Sequence, residues 1–262
     1  MIDSHAHYDN ERFDADREKI LAQAFQSGVT HIVNPGCDLP SSRKAIAMAE
    51  AHAGLFAAVG FHPHEASAYS EGAAQTLLSL ARHPKVVAIG EIGLDYHYDF
   101  SPRDVQKQVL RAQIELARQV GKPVILHDRE AHGDVVALMR EEKAGELGGV
   151  FHCWSGSRET AELVLRMGFH IGVGGSVTFK NAHRLQEVVR HIPIDRLLIE
   201  TDCPYMTPEP FRGRRNWSGL MVHVLEKLSE LRGETVAELE ARTTDNAIRL
   251  FRLPRLNVED NA

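Results

Sequence analysis

A chain of 262 residues with 43% hydrophobic and 25% charged residues has an ordinary globular composition, long enough for one large domain or two small ones. Its net charge of −6 and pI near 6.2 argue against an avid, sequence-independent duplex binder, yet leave room for nucleic acid at a metal site, where ions supply local positive charge. No apolar stretch is long enough to span a membrane, no signal-peptide succession opens the chain, and Cys37, Cys153 and Cys203 make no disulfide framework, so a cytoplasmic address is expected.

Short apolar runs alternate with longer amphipathic stretches from end to end. Strands are predicted at 1–5, 30–34, 55–60, 86–91, 123–127, 149–152, 169–173 and 197–201. Helices are predicted at 14–27, 41–53, 102–119, 132–142 and 157–167, and Leu77, Leu78, Leu80 and Ala81 outline another helical face. Within 103–119, apolar Val105, Val109, Ala112 and Leu116 recur at three- and four-residue intervals, as one buried helix face requires. Ser41 and Ser157 are expected N-caps, and Gly28, Gly121 and Gly168 expected helix ends. Two closing helices are expected at 219–232 and 235–251, then a frayed tail over 255–262. No linker or repeat divides the chain, so 1–262 reads as a single domain. Eight strand-then-helix units predict an α/β fold, a TIM-type (β/α)8 barrel, over an open doubly wound sheet, because no Gly-rich phosphate loop follows the first strand.

In such barrels the active site gathers where the strands end. Here five of the strand runs lead into candidate metal ligands: His5 and His7, Glu91, His127, His152, and Asp202. His5 and His7, two apart, share a face of an extended strand. Mixed imidazole and carboxylate donors suit divalent ions, and two such ions near each other activate water. Glu91, with two oxygens, is the candidate bridge, and Asp202 the candidate general base. His62 and His64 follow the third strand and are expected to orient substrate or brace a ligand. Asp128 and Arg129 could position His127 or meet a phosphate. Arg212 and Arg214, in Phe211-Arg212-Gly213-Arg214-Arg215-Asn216, are expected to grip phosphate. Cys153 and Cys203 each neighbour a candidate ligand, so alternation turns them toward barrel–helix packing.

These residues resemble a family. Ser4-His5-Ala6-His7, Gly60-Phe61-His62-Pro63-His64, Gly90-Glu91-Ile92-Gly93-Leu94-Asp95-Tyr96, Pro123-Val124-Ile125-Leu126-His127, Phe151-His152-Cys153-Trp154-Ser155-Gly156 and Glu200-Thr201-Asp202-Cys203-Pro204-Tyr205 together look like the TatD family of metal-dependent hydrolases. The resemblance implies an amidohydrolase-like barrel and a divalent-metal deoxyribonuclease, a 3′-5′ exonuclease on single-stranded DNA ends or a hydrolase of a small phosphoester. It further implies one ion on His5, His7, Glu91 and Asp202 and another on Glu91, His127 and His152, the metals being Zn, Mn, Mg or Ni. No obligate protein partner is implied. Trp217-Ser218-Gly219 departs from the family's usual continuation. The same metal chemistry on an amide, lactone or aminoacyl ester is the alternative activity.

Overall fold

Apolar runs spaced by amphipathic stretches force a layered solution, because each strand must bury one face inward and the other against helices. The computed structural model describes residues 1–256, and most of the expected frayed tail lies outside them. Eight strands, β1 (Ile2–Asp3), β2 (His31–Pro35), β3 (Leu55–Val59), β4 (Val86–Asp95), β5 (Val124–Arg129), β6 (Gly149–Phe151), β7 (His170–Val173) and β8 (Leu197–Ile199), pair in sequential order. Every neighbouring pair is parallel. The last edge returns to the first: Ser4 N donates to Ile199 O at 3.2 Å, Asp202 N to His5 O at 2.9 Å and His7 N to Cys203 O at 2.8 Å. The sheet is thus an all-but-closed (β/α)8 barrel.

Around it run α1 (Arg17–Gln26), α2 (Leu39–Ala51), α3 (Glu71–Ala81), α4 (Arg103–Val120), α5 (His132–Glu141), α6 (Arg158–Arg166), α7 (His183–His191), α8 (Met221–Arg232) and α9 (Val236–Phe251). Ser157 caps α6 as expected, accepting from Thr160 N, and Gly121 ends α4 in the left-handed region at φ 64°. Several boundaries differ from expectation: β1 shrinks to Ile2–Asp3, and β4 runs on from residue 91 to Asp95. Asp38, not Ser41, caps α2; Ser41 sits one turn in and closes a reciprocal capping box with it. α1 starts at Arg17, because a short 3₁₀ turn at Glu11–Phe13 precedes it.

Strand alternation divides the core. Ile2, Val33, Phe56, Ala58, Val150 and Leu198 form an inner cluster, closed at one end by Phe251, the last residue of α9, and by Leu253 just beyond it. Their chain neighbours Ile32, Leu55, Ala57, Phe151, Leu197 and Ile199 pack outward with the helices. On β5, β6 and β8, residues that share the inner parity and lie farther along the chain (His127, His152 and Asp202) meet at the opposite end. His5 and His7 join them, although Ile2 stands at the other parity of β1 and Ala6 between them packs outward.

His170, on β7, is a buried imidazole outside that site, and its Nδ1 has no hydrogen-bond partner. Burial, with Arg196 beside it, pushes its pKa from 6.5 down to about 4. The unfolded chain therefore takes up this proton near pH 6.5, while the folded chain resists it until about 4. Stability present above pH 6.5 is lost as the pH falls, by roughly 2 kcal/mol between pH 7 and 5. Urea unfolding at both pH values should show a smaller loss for His170→Gln than for the parent; equal losses would mean that this imidazole titrates normally.

Candidate metal centre

The inner parity that places Ile125 and Val150 in the barrel interior also turns His127 and His152 inward, two residues farther along their strands. Glu91 needs a different device. Ile89 and Ile92 both pack on the helix side although three residues apart, so strict alternation fails between them. The β4–β5 register shifts over this stretch, and the shift turns Glu91 inward. Gly93 permits the close approach that follows: at φ 153°, a Cβ there would lie 1.9 Å from His127 O.

The Glu91 carboxylate, 3% exposed, divides its oxygens between two groups of donors. Oε2 lies 3.4 Å from His5 Nε2 and 3.5 Å from His7 Nε2. Those two nitrogens are 3.0 Å apart, and Asp202 Oδ1 lies 3.9 and 3.6 Å from them. Oε1 lies 2.8 Å from both His127 Nδ1 and His152 Nε2, which are 3.4 Å from each other. Donors about 2.1 Å from a tetrahedral ion stand about 3.4 Å apart, so both groups, with donors 2.8 to 3.9 Å apart, come near the spacing of a divalent-cation site. Two imidazole nitrogens facing each other at 3.0 Å also call for a shared cation or proton. The structure thus brings together all six expected ligands in two groups joined by Glu91.

Hydrogen bonds set which ring nitrogen is free. His127 Nε2 faces Asp95 Oδ2 at 3.1 Å, so with its proton directed there, Nδ1 keeps its lone pair for the site. His62 Nε2 lies 3.5 Å from Glu91 Oε1 and also belongs to a group with metal-binding spacing. Its Nδ1, however, accepts from His64 N at 3.2 Å, which assigns the ring proton to Nε2 and makes His62 a donor facing Glu91 at the floor of the cleft. His64 Nε2 meets Asp95 Oδ2 at 2.9 Å.

Electrostatics follow from burial. Burial alone would raise the Glu91 pKa, but His152, His62 and His5 around it hold it well below the usual carboxylate range. Burial raises Asp202, and burial pushes Glu200 up to about 8. Asp95 ends below its ordinary value: burial opposes ionisation, while hydrogen bonds from His127, Tyr98 and His64 favour it.

Asp95, Glu200 and Cys37 have places at the centre that strand-end reasoning missed. Asp95 was signalled, since it stands four residues after Glu91 on the same strand. Glu200 shares the inner parity of Leu198; it accepts from Cys153 N and stands 3.9 Å from His152 Nδ1. Cys37 lines the cleft and groups with His7 and Glu91, bringing in the end of β2.

Other expectations are relocated. Asp128 pairs at 2.7 Å with His132, the first residue of α5, rather than holding His127. The arginine loop turns onto its own aromatic neighbours: Arg212 lies over Phe179 at 3.9 Å and Arg214 over Phe211 at 5.7 Å. Neither lines the 700 Å³ cleft above the centre, whereas His62, His64 and Arg129 do. Cys203 is fully buried in the outer core, and Cys153 is half-buried at φ 45°. The departure at Trp217-Ser218-Gly219 is structural. Ser218 Oγ donates to Asp3 Oδ2 at 2.7 Å and accepts from Tyr8 OH at 2.9 Å, bracing the closure of β1 on β8.

The chain matches the family described as TatD related DNase over residues 2–252. The Bacillus subtilis protein named metal-dependent hydrolase YabD is 47% identical over 253 residues, covering 97% of this chain and 99% of that one. The Pantoea vagans protein named 3′-5′ ssDNA/RNA exonuclease TatD is 38% identical over 259 residues, covering 97% and 100%. The crystal structure of YJJV, a TatD homologue from Escherichia coli K12, superimposes with a TM-score of 0.91 at 35% identity, covering 97% and 98%.

Asp3 is fully buried, accepting from Ser218 Oγ, Thr201 Oγ1, Thr201 N and His5 N, and burial raises its pKa to about 6 against those bonds. Ser218→Ala removes one donor from Asp3 and the acceptor of Tyr8 OH. It should cost about 1–3 kcal/mol in urea unfolding. A loss under about 0.5 kcal/mol would show that the brace is not a main support of the barrel seam.

Proposed function

Given that this chain belongs to the TatD family of metal-dependent hydrolases, we propose that it hydrolyses phosphodiester bonds at the 3′ end of single-stranded DNA with two divalent ions. The observation that carries the reading is the division of the Glu91 oxygens between two groups of donors. The names of relatives given as 3′-5′ ssDNA/RNA exonucleases support the choice of substrate. His5, His7 and Asp202 would hold one ion and His127 and His152 the other, with Glu91 common to both. When bound, such ions polarise a phosphoryl oxygen and make water nucleophilic near neutral pH.

The chain's own residues supply the rest. Asp202, at the rim of the buried centre with its side chain 16% exposed, takes a proton from the attacking water. The new bond forms between the water oxygen and phosphorus, the bond from phosphorus to the 3′ oxygen breaks, and the departing oxygen takes a proton from solvent. His62, which lines the cleft with its ring proton on Nε2, would donate to a phosphoryl oxygen. Asp95 fixes the ring orientation of His127 and His64. A cytoplasmic setting fits the reading, and no helix among the described residues is long and apolar enough to cross a membrane.

An end-labelled single-stranded oligonucleotide, incubated with chelator-stripped protein and then with Mg, Mn or Zn restored, should yield a ladder from the 3′ end only with metal. Asp202→Asn should lower turnover by about 10²–10⁴-fold while leaving the unfolding temperature nearly unchanged. Cleavage at the parent rate in that variant would remove Asp202 from the reaction. Release of a new carboxylate from a small ester, with no DNA product, would replace the phosphodiester reading. Elemental analysis provides a separate check: the parent should carry two divalent ions per chain and Glu91→Gln fewer, and unchanged occupancy in that variant would exclude Glu91 as the bridge.

A further inference from the structure

Among the described residues, the exposed large hydrophobic side chains are Tyr98, Phe100 and Tyr205, at 47, 68 and 44% exposure. Single exposed apolar residues are ordinary, but all three of these line the cleft above the candidate metal centre. Two stand on one lip, in the loop between β4 and α4, and one on the other, in the loop after β8. A solvent-facing ring gains nothing from exposure, so three at one mouth ask for something flat and apolar to cover them.

Each lip is built rather than loose. Tyr98 and Phe100 stack with centroids 5.3 Å apart and planes 28° from parallel. The His64 ring meets both nearly edge-on, at 5.4 and 4.8 Å. Tyr98 N donates to Asp95 Oδ1 at 2.9 Å, so the carboxylate that orients His127 also fixes this lip relative to the centre. Arg129 lies over the Tyr98 ring at 4.8 Å. Opposite, Asn10 Nδ2 donates to Tyr205 OH at 3.1 Å and Arg12 lies over that ring at 5.3 Å. Each aromatic lip thus carries a guanidinium, the pairing of π-face and cation that grips single-stranded nucleic acid.

We propose that these lips form a two-sided base clamp: Tyr98 and Phe100 stack on one nucleobase and Tyr205 on another, across the scissile phosphate, while Arg129 and Arg12 meet the adjoining phosphates. The inference rests on the phosphodiester reading and specifies its substrate as a strand with unpaired, separable bases. In a duplex the base faces are already covered by neighbouring bases, so the clamp selects single strands and frayed ends. Stacking accepts any base, which fits degradation without sequence preference.

The test pairs binding with kinetics. Fluorescein-labelled oligo-dT, and an abasic strand with the same number of phosphates, are titrated by anisotropy into chelator-treated protein. KM and kcat are measured on both with metal restored. The double variant Tyr98→Ala/Phe100→Ala and the single variant Tyr205→Ala should each weaken oligo-dT binding about tenfold or more, raising KM by a larger factor than they lower kcat. Neither should change binding of the abasic strand by more than about twofold, and Tyr98→Phe should bind oligo-dT as the parent does. These rings are exposed, so unfolding temperatures should stay close to that of the parent. Variants that bind oligo-dT as tightly as the parent, or that lose oligo-dT and the abasic strand equally, would overturn the clamp while leaving nuclease activity intact. A parent that neither binds nor cleaves any oligonucleotide would overturn the phosphodiester reading and the clamp with it.

Discussion

A carboxylate buried among imidazoles needs positive charge beside it, and Glu91 is the point on which this molecule turns. At 3% exposure it has exchanged water for His5, His7, His127 and His152, each within 3.5 Å of one of its oxygens. Burying an unpaired carboxylate would be prohibitive, so the site is stable only when cations or protonated rings surround it. The register shift in β4 that turns Glu91 inward, and the glycine that lets β4 approach β5 there, serve this placement.

A second buried carboxylate, satisfied by neutral donors, closes the barrel. β1 is only two residues long, too short to hold the seam by ladder hydrogen bonds alone. Asp3 compensates by gathering donors from His5, Thr201 and Ser218, drawing β1, the segment after β8 and the turn before α8 onto one carboxylate. His5 and Asp202, two residues from β1 and three from the end of β8, inherit their positions from that seam. Mechanical closure and candidate chemistry therefore share residues, and a change to the seam is felt at the centre.

Asp95 makes the corresponding link on the far side of the site. One oxygen faces His127 and His64 and the other receives the backbone of His97 and Tyr98, so the interior rings and the exposed lip are held by one group. A cleft assembled in this way is organised before anything enters it, which is the economical arrangement for electrostatic catalysis. Membership in a family of metal-dependent hydrolases agrees with this construction.

The amino-acid sequence determined the barrel and most of the residues at its mouth. Strand alternation and helical periodicity are local properties, and His127 and His152 could be aimed by parity from Ile125 and Val150. What it left to the tertiary structure was whatever depends on broken periodicity or on contacts between distant loops. Strict alternation from Ile89 would send Glu91 outward; only pairing with β5 reveals the shift that turns it in. The arginines of residues 212–215 read as a phosphate grip because a linear cluster shows charge but not direction. Folded, Arg212 and Arg214 cover Phe179 and Phe211, and Arg215 pairs with Asp16 at 2.6 Å. The spacing of Asp95 from Glu91 on one strand signalled its place but not its partners, and Glu200 carried no such signal, because a second layer of hydrogen bonds is defined by neighbours far apart in the chain. Local pattern fixes which face of an element a side chain occupies; only packing decides what stands opposite it.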